Sequence, residues 1–145
     1  HFLYNDLIKF TKSKVIHMIY ETIDFLKEYF PDNTKFLLLS TIGTYTSGIY
    51  KEIFEEKGLK ITEPNKADKE TIMKWIYNAK SGVYVKEDIF KSIIEKYTEK
   101  EKLPIVIGCT ELSFLTESMN IPNKVDPVEI IAKNCIKRAK IYKNS

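Results

Sequence analysis

The sequence predicts an α/β fold in which a parallel sheet is covered by helices on both faces. Short and almost continuously apolar runs alternate with longer segments whose apolar residues recur at helical spacing. Strands that are apolar along their length are typical of a sheet buried on both faces, and strand–helix alternation favours parallel pairing. Ligands of such sheets bind beyond the carboxyl ends of the strands. The loops at residues 40–48 and 108–112 are therefore the expected binding loops.

The first four predicted elements precede the hydroxyl-rich loop. Residues 2–10 carry apolar side chains at helical spacing and predict the end of a helix, and residues 15–16 predict a short strand. A helix is expected over about residues 20–29, because the apolar positions again repeat at helical spacing and Pro31 follows. Residues 35–40 predict a buried strand, since they form an apolar run.

Four further elements follow that loop. A helix is expected over about residues 48–57 and ends at Gly58, because glycine is favoured just past a helix end. Residues 59–62 predict a brief strand, and helical spacing of apolar residues predicts helices over about residues 68–80 and 87–100. The expected buried face of the last of these helices consists of Ile89, Phe90, Ile93, Ile94 and Tyr97.

The chain ends with one strand and one helix. Residues 104–108 are predicted as the last strong strand, because they form a short apolar run closed by glycine. The final helix is expected to start at Asp126, which is a favoured capping residue. Pro127 suits the first turn of that helix, and Glu129 completes a capping box.

Composition excludes several classes of protein. The 145 residues suit one compact domain, and the 23 basic and 20 acidic residues are spread along the chain without a basic block. Arg138 is the single arginine, which is a poor basis for bidentate recognition of phosphate or guanine, so no nucleic-acid partner is expected. No apolar run approaches the roughly 20 residues of a membrane span. The sequence contains neither a P-loop nor a dinucleotide fingerprint nor a suitably spaced set of metal ligands, so no cofactor or metal is expected.

The two cysteines, Cys109 and Cys135, do not form a C-x-x-C pair, which favours a reducing cytoplasm over a disulfide framework. Cys109 follows Gly108 at the end of a predicted strand. A helix beginning at Thr110 would lower the thiol pKa from about 8.5 toward neutrality. The alternative is a small buried apolar residue. Cys135 lies in the last helix and is expected to be buried in the protein core. Cys109 is expected to be the more reactive thiol.

The run Ile-Gly-Cys-Thr-Glu-Leu at residues 107–112 resembles the signature around the second catalytic cysteine of the aspartate/glutamate racemase family. Residues 38–50 are similar to the strand, hydroxyl loop and helix start of that family, and residues 76–82 to its lysine-bearing segment. Residues 15–22 and 125–132 match its crossover and its last helix. The resemblance covers nearly the whole chain and keeps the family's order.

The resemblance implies a flavodoxin-like racemase domain that works without a cofactor. One cysteine of the family removes the α-proton of an amino acid and another returns a proton from the opposite face; Cys109 corresponds to the second. Lys80 would bind a carboxylate of a small dicarboxylic amino acid, with Thr44, Thr110 and Glu111 also binding substrate. Glutamate after Gly-Cys-Thr is typical of the aspartate-type branch. From the residues alone, Lys80 is equally well an ordinary helix-end lysine, and Thr44 a helix cap.

The sequence departs from the family at its beginning. The first catalytic cysteine of the family lies in a Cys-Asn-Thr-x-His stretch, and His1 resembles the final histidine of that stretch. Residues 16–121 are therefore predicted to form the second α/β domain, and residues 1–15 and 122–145 to be remnants of the first. A chain with one catalytic thiol is expected to be inactive as a racemase. The exposed apolar faces of the remnants predict a homo-oligomer.

Two other functions remain open from the sequence. One is a non-catalytic module that binds carboxylates or a partner protein. The other is a single-cysteine enzyme resembling the decarboxylases and maleate isomerases that share the fold, which the Gly-Cys-Thr-Glu run at residues 108–111 disfavours.

Overall fold

The computed structural model describes residues 3–83 and 86–143, and the described part of the chain contains eight helices and four strands. His1 and Phe2, for which the sequence makes predictions, lie outside it. In chain order the helices are α1 (Tyr4–Phe10), α2 (Met18–Tyr29), α3 (Ile42–Ser47), α4 (Ile49–Glu56), α5 (Lys66–Lys80), α6 (Glu87–Thr98), α7 (Thr110–Leu115) and α8 (Pro127–Lys143). The strands are β1 (Lys35–Leu39), β2 (Lys60–Thr62), β3 (Ile105–Ile107) and β4 (Lys124–Val125).

The four strands form one parallel sheet in the order β2-β1-β3-β4, which confirms the predicted fold class. Leu37 of β1 lies opposite Ile105 of β3, and Leu39 lies opposite Ile107. This register brings the carboxyl ends of β1 and β3 to the same level at the centre of the sheet. The loops that follow these two strands are therefore neighbours.

Alternate side chains of the central strands enter two separate cores. Leu37 and Leu39 pack against α5, α6 and α7 on one face, where Trp75 and Phe90 stack with ring centroids 4.4 Å apart. On that face α6 contributes Phe90, Ile93 and Ile94, whereas Ile89 is 49% exposed, contrary to the sequence prediction. Ile89 points away because it precedes Phe90 by about 100° of helix rotation.

The opposite face of the sheet packs against α2, α4 and α8. Phe36 and Leu38 of β1 are buried there, and the rings of Phe36 and Phe54 meet edge to face at 5.9 Å. Full burial of an aromatic or aliphatic side chain contributes roughly 1.5–3 kcal/mol. Both faces of the sheet are thus covered, as the apolar strands predict.

The prediction of a strand at residues 15–16 is wrong. Val15 and Ile16 form no strand, because no strand of the described chain lies beside them to pair with; instead they lead to His17 at the start of α2. The His17 ring is buried between Tyr4 and Tyr20, with centroids 4.7 and 4.6 Å away, and this contact attaches α1 to α2.

The expected loop at residues 40–48 contains the short helix α3. The hydroxyl of Thr41 accepts a hydrogen bond from the Thr44 amide at 3.2 Å and so caps α3. Gly48 then adopts a left-handed conformation (φ 68°) between α3 and α4, where a side chain would be strained. Hydroxyl residues therefore support a tight helical turn here rather than an open loop.

The last helix begins as predicted and folds onto α2. Asp126 Oδ1 accepts a hydrogen bond from the Val128 amide at 2.9 Å, and Glu21 of α2 binds Asn134 and Arg138 at 2.7 and 2.6 Å. β4, a short strand that the sequence analysis missed, joins the sheet just before α8. β4 thus extends the sheet to a point just before the start of α8. The division of the chain into two domains stays a prediction.

Cys135 is exposed, which contradicts its predicted place in the core. The face of α8 that packs inward carries Ile130, Asn134 and Arg138, at intervals of four residues. Cys135 follows Asn134 by about 100° of rotation and so lies on the outer side with Ile136, which is 58% exposed. No helix in the described ranges, 3–83 and 86–143, is long and apolar enough to cross a membrane.

Replacing Gly108 with alanine is expected to lower the free energy of unfolding by about 1–3 kcal/mol, as overpacked sites do. A Cβ at this position would lie 2.8 Å from Leu38 Cδ1 and 3.1 Å from Ser40 Oγ. Gly43→Ala is the matched control, because its Cβ would meet nothing closer than 3.8 Å and alanine favours helix α3. Urea unfolding measures both, and equal stabilities would contradict the prediction.

Candidate functional site

The two predicted binding loops meet at the carboxyl edge of β1 and β3. The Gly108 amide donates a hydrogen bond to the Leu39 carbonyl at 2.8 Å, and the Ser40 hydroxyl donates to the Gly108 carbonyl at 2.7 Å. Ser40 is fully buried, so its hydroxyl holds the two loops together from inside the fold. Cys109 is the next residue of the chain after Gly108, which forms this junction.

Cys109 occupies the N-cap position of α7 in an extended conformation, and the helix begins at Thr110 as predicted. Its side chain is 9% exposed and borders the core below the sheet edge. The Sγ atom lies 2.9 Å from Glu111 Oε2, and the thiol donates a hydrogen bond to that carboxylate. A nearly buried thiol is thus paired with a charged acceptor.

Glu111 joins the thiol to a lysine. Its Oε1 atom lies 2.9 Å from Lys80 Nζ at the end of α5, and its Oε2 atom also accepts a hydrogen bond from the Thr110 hydroxyl at 3.1 Å. The hydrogen bonds from Cys109 and Lys80 lower the pKa of Glu111 to about 2. Glu111 in turn raises the pKa of Lys80. Cys109, Glu111 and Lys80 therefore form one continuous chain, called here the thiol–carboxylate–lysine chain.

The pKa of Cys109 is raised, which corrects the expectation of a thiol activated by the helix. Burial is the largest cause, and the hydrogen bond to the negatively charged Glu111 is the second. The amides of Glu111 and Leu112 act in the opposite direction but less strongly. The sequence reveals the helix start, but not the depth of burial that outweighs it.

Thr44 belongs to an adjacent cleft rather than to this chain. Its hydroxyl lies 3.0 Å from that of Thr41, so both threonines take part in capping α3, as the alternative interpretation of Thr44 expects. The cleft has a volume of about 360 Å³, and Tyr50 and Gly108 also line it. Lys80, Thr110 and Glu111 line a second, smaller cleft of about 230 Å³. Of the predicted substrate-binding residues, Thr44 thus lines one cleft, whereas Lys80, Thr110 and Glu111 line the other.

Sequence reasoning missed two tyrosines at this edge. The Tyr45 hydroxyl accepts a hydrogen bond from the Ser40 amide at 2.8 Å and donates to the Leu38 carbonyl at 3.1 Å, which ties α3 to the end of β1. Tyr50 is buried at the start of α4. A signal was available for Tyr50, because it lies three and four residues before the inward-facing Ile53 and Phe54.

Residues 1–135 match the Asp/Glu/hydantoin racemase family. The chain belongs to this family. Among curated proteins, this racemase-family chain is 28% identical over 123 residues to an uncharacterised protein encoded in the pnlA 3′ region of Pectobacterium carotovorum subsp. carotovorum, a match that covers 79% of this chain and 75% of that protein.

Two solved structures share the fold of this racemase-family chain. An aspartate racemase homologue from Pyrococcus horikoshii OT3 is 26% identical, with a TM-score of 0.85 over 97% of this chain and 62% of that one. The Picrophilus torridus aspartate racemase is 27% identical, with a TM-score of 0.63 over 89% of this chain and 54% of that one. The chain therefore spans less than two thirds of the length of these solved structures.

Iodoacetamide is expected to modify Cys135 of this racemase-family protein before Cys109. Cys135 is exposed, whereas Cys109 is buried and its raised pKa keeps it protonated near neutral pH. Replacing Glu111 with glutamine removes a charge that raises this pKa, so labelling of Cys109 should accelerate, roughly tenfold for each pKa unit. Mass mapping of native protein against time measures both rates.

The control for this labelling experiment is Glu129→Gln, which removes a carboxylate that pairs with Lys133 on the surface of α8. That variant should leave the labelling of Cys109 unchanged. Labelling of Cys109 ahead of Cys135 in the wild type would show that the thiol is ionised and accessible, contrary to the structure.

Proposed function

We propose that this chain carries one catalytic half of a cofactor-independent amino-acid racemase of the aspartate/glutamate type. The observation that carries the proposal is the thiol–carboxylate–lysine chain, in which Cys109 Sγ and Lys80 Nζ each lie 2.9 Å from an oxygen of Glu111. Family membership and the similarity to aspartate racemase structures support the same assignment.

Cys109 is proposed to exchange a proton with the α-carbon of the substrate. The thiolate takes the α-proton: the C–H bond breaks, an S–H bond forms, and the electron pair stays on the carbon and is delocalised into the adjacent carboxylate. Return of a proton from the thiol reverses the step on the same face. A positioned acid or base contributes typically 10²–10⁴-fold in rate.

Inversion needs a second proton donor on the opposite face. In the proposed two-cysteine mechanism that donor is a second cysteine. Cys135 is a poor substitute, because it is exposed on the outer side of α8 and lines neither of the two clefts. Cys109 acting alone is therefore expected to exchange the α-proton without inverting the amino acid.

The substrate proposed for the site is a small dicarboxylic amino acid. The ammonium group of Lys80 is about half exposed and is paired with Glu111. It can therefore turn to a substrate carboxylate, while the Glu111 carboxylate can accept the α-ammonium group. Thr110 lines the same cleft, and Thr44 lines the neighbouring one. No cofactor is required for this chemistry, and two free cysteines suit the proposed cytoplasmic location.

A second candidate is a module that binds carboxylates without catalysis. The raised pKa of Cys109 favours it, because a protonated thiol does not remove protons. The deciding experiment incubates each enantiomer of aspartate and glutamate with the protein in D2O and follows the α-proton by NMR and the enantiomer by chiral chromatography. Exchange supports the racemase half-site; binding without exchange supports the module.

The proposed partners are the amino-acid substrate and a second copy of the chain. Near the beginning of the sequence, Leu3, Leu7 and Phe10 are 66%, 51% and 88% exposed. On α8, Ile136 is 58% exposed. Exposed apolar surface of this extent is typical of a protein–protein contact. We propose that two copies cover these residues in a symmetric interface.

A further inference from the structure

The Tyr50 side chain is only 3% exposed, yet its hydroxyl has no hydrogen-bond partner among the residues that the structure describes. Buried hydroxyl groups are almost always hydrogen-bonded, and one that is not costs stability. Burial and the charges of Asp126 and Cys109 raise the pKa of Tyr50 to about 12, so the group is a neutral phenol. It is therefore an unused hydrogen-bond donor.

Tyr50 lines the cleft of about 360 Å³ that opens beside Gly108. The other hydroxyl groups of that cleft are already engaged. Thr41 and Thr44 contact each other at 3.0 Å, and Ser47 donates to the Thr44 carbonyl at 2.8 Å. A ligand oxygen in the cleft would supply the acceptor that Tyr50 lacks.

The cleft of Tyr50 and the cleft of Lys80 lie on either side of Cys109 in sequence. Gly108 lines the first and Thr110 lines the second, so Cys109 is the residue between them. A molecule with a carboxylate in each cleft would bring the carbon atoms that join its carboxylates to the loop of residues 108–110. That loop carries Cys109, the base proposed for exchange of the α-proton.

We propose that Tyr50 is a substrate-binding residue whose hydroxyl donates a hydrogen bond to one carboxylate of a dicarboxylic amino acid, while Lys80 binds the other. The assignment rests on the proposed function and adds that each of the two clefts binds one carboxylate of the substrate. A short amino acid with two carboxylates fits this arrangement, and one with an apolar side chain leaves a cleft unfilled.

The test compares wild type and Tyr50→Phe by titrating the 145-residue chain with L- and D-aspartate in isothermal calorimetry and by measuring Tm. Loss of the hydrogen bond should weaken aspartate binding about tenfold, which is the usual scale for a bond to a charged group. The Tm should stay equal or rise, because the variant removes a buried hydroxyl that has no partner. Tyr45→Phe is the control: its hydroxyl has two backbone partners, so its Tm should fall.

Each outcome has a distinct meaning. Unchanged aspartate affinity in Tyr50→Phe overturns this inference and leaves the proposed function standing. A Tm lowered as much as that of Tyr45→Phe also overturns it, since the hydroxyl would then have a structural partner. Failure of the wild type to bind either enantiomer overturns the proposed function and this inference together.

Discussion

Replacing Cys109 with alanine is expected to reduce deuterium exchange at the α-carbon of aspartate by about 10²–10⁴-fold, because the variant lacks the only base proposed for that step. The measurement is NMR of each enantiomer in D2O at alkaline pH. The reactive form is the thiolate and the pKa of Cys109 is raised. The wild-type rate should therefore still increase with pH above the ordinary pKa of a cysteine thiol.

Cys135→Ala is the matched control for this experiment, since it removes the other thiol and leaves the sheet edge intact. It should exchange at the wild-type rate. Exchange that survives in Cys109→Ala would rule out the proposed base, and full inversion by the wild type would show that the chain contains a second proton donor.

The double variant Ile131→Glu, Ile136→Glu is expected to abolish the proposed self-association and to leave the chain monomeric. Both residues lie on α8, where Ile136 is exposed and Ile131 is partly buried beside Leu3 and Leu7 in an apolar groove. Two carboxylates in a desolvated apolar contact carry a large penalty. Sedimentation velocity across micromolar concentrations measures the change.

Lys137→Glu provides a control with the same change in net charge. Lys137 is exposed and lies about 120° around α8 from Ile131 and about 100° from Ile136, so it faces away from both. This variant should associate like the wild type. A wild-type protein that stays monomeric over the whole concentration range would contradict the proposed interface.

The fold was predictable because its information is local and repeated. Leu37, Leu38 and Leu39 are apolar in succession, and such a run between turn residues is typical of a strand with a core on each face. Gly58 marks a helix end by its left-handed backbone conformation, and Asp126 marks a helix start because its side-chain carboxylate accepts a hydrogen bond from the Val128 amide. Each of these signals depends on residues a few positions apart.

Predictions that depended on distant neighbours succeeded less well. Cys135 has apolar neighbours along α8, but its exposure depends on which side Glu21 of α2 binds. The raised pKa of Cys109 depends on burial under a sheet edge that periodicity does not describe. Residues 15–16 look like a strand but find no partner strand among the described residues.

The candidate site was only partly predictable. Cys109 was a candidate from its position after a strand, whereas Lys80 and Glu111 came from the family resemblance. The contact of Lys80 with Glu111 requires the end of α5 to reach the start of α7. The helical spacing of Tyr50 with Ile53 and Phe54 indicates its burial, but its unmet hydrogen bond is visible only in the structure.

The stacking of Trp75 on Phe90 gives the protein an optical reporter. Trp75 is the only tryptophan in the chain, it is 6% exposed, and it lies on α5 five residues before Lys80. Its fluorescence emission should be blue-shifted in the native state and should respond to separation of α5 from α6. Intrinsic fluorescence therefore follows the helix that carries Lys80, with no label attached, while the sheet edge at Cys109 can be varied independently.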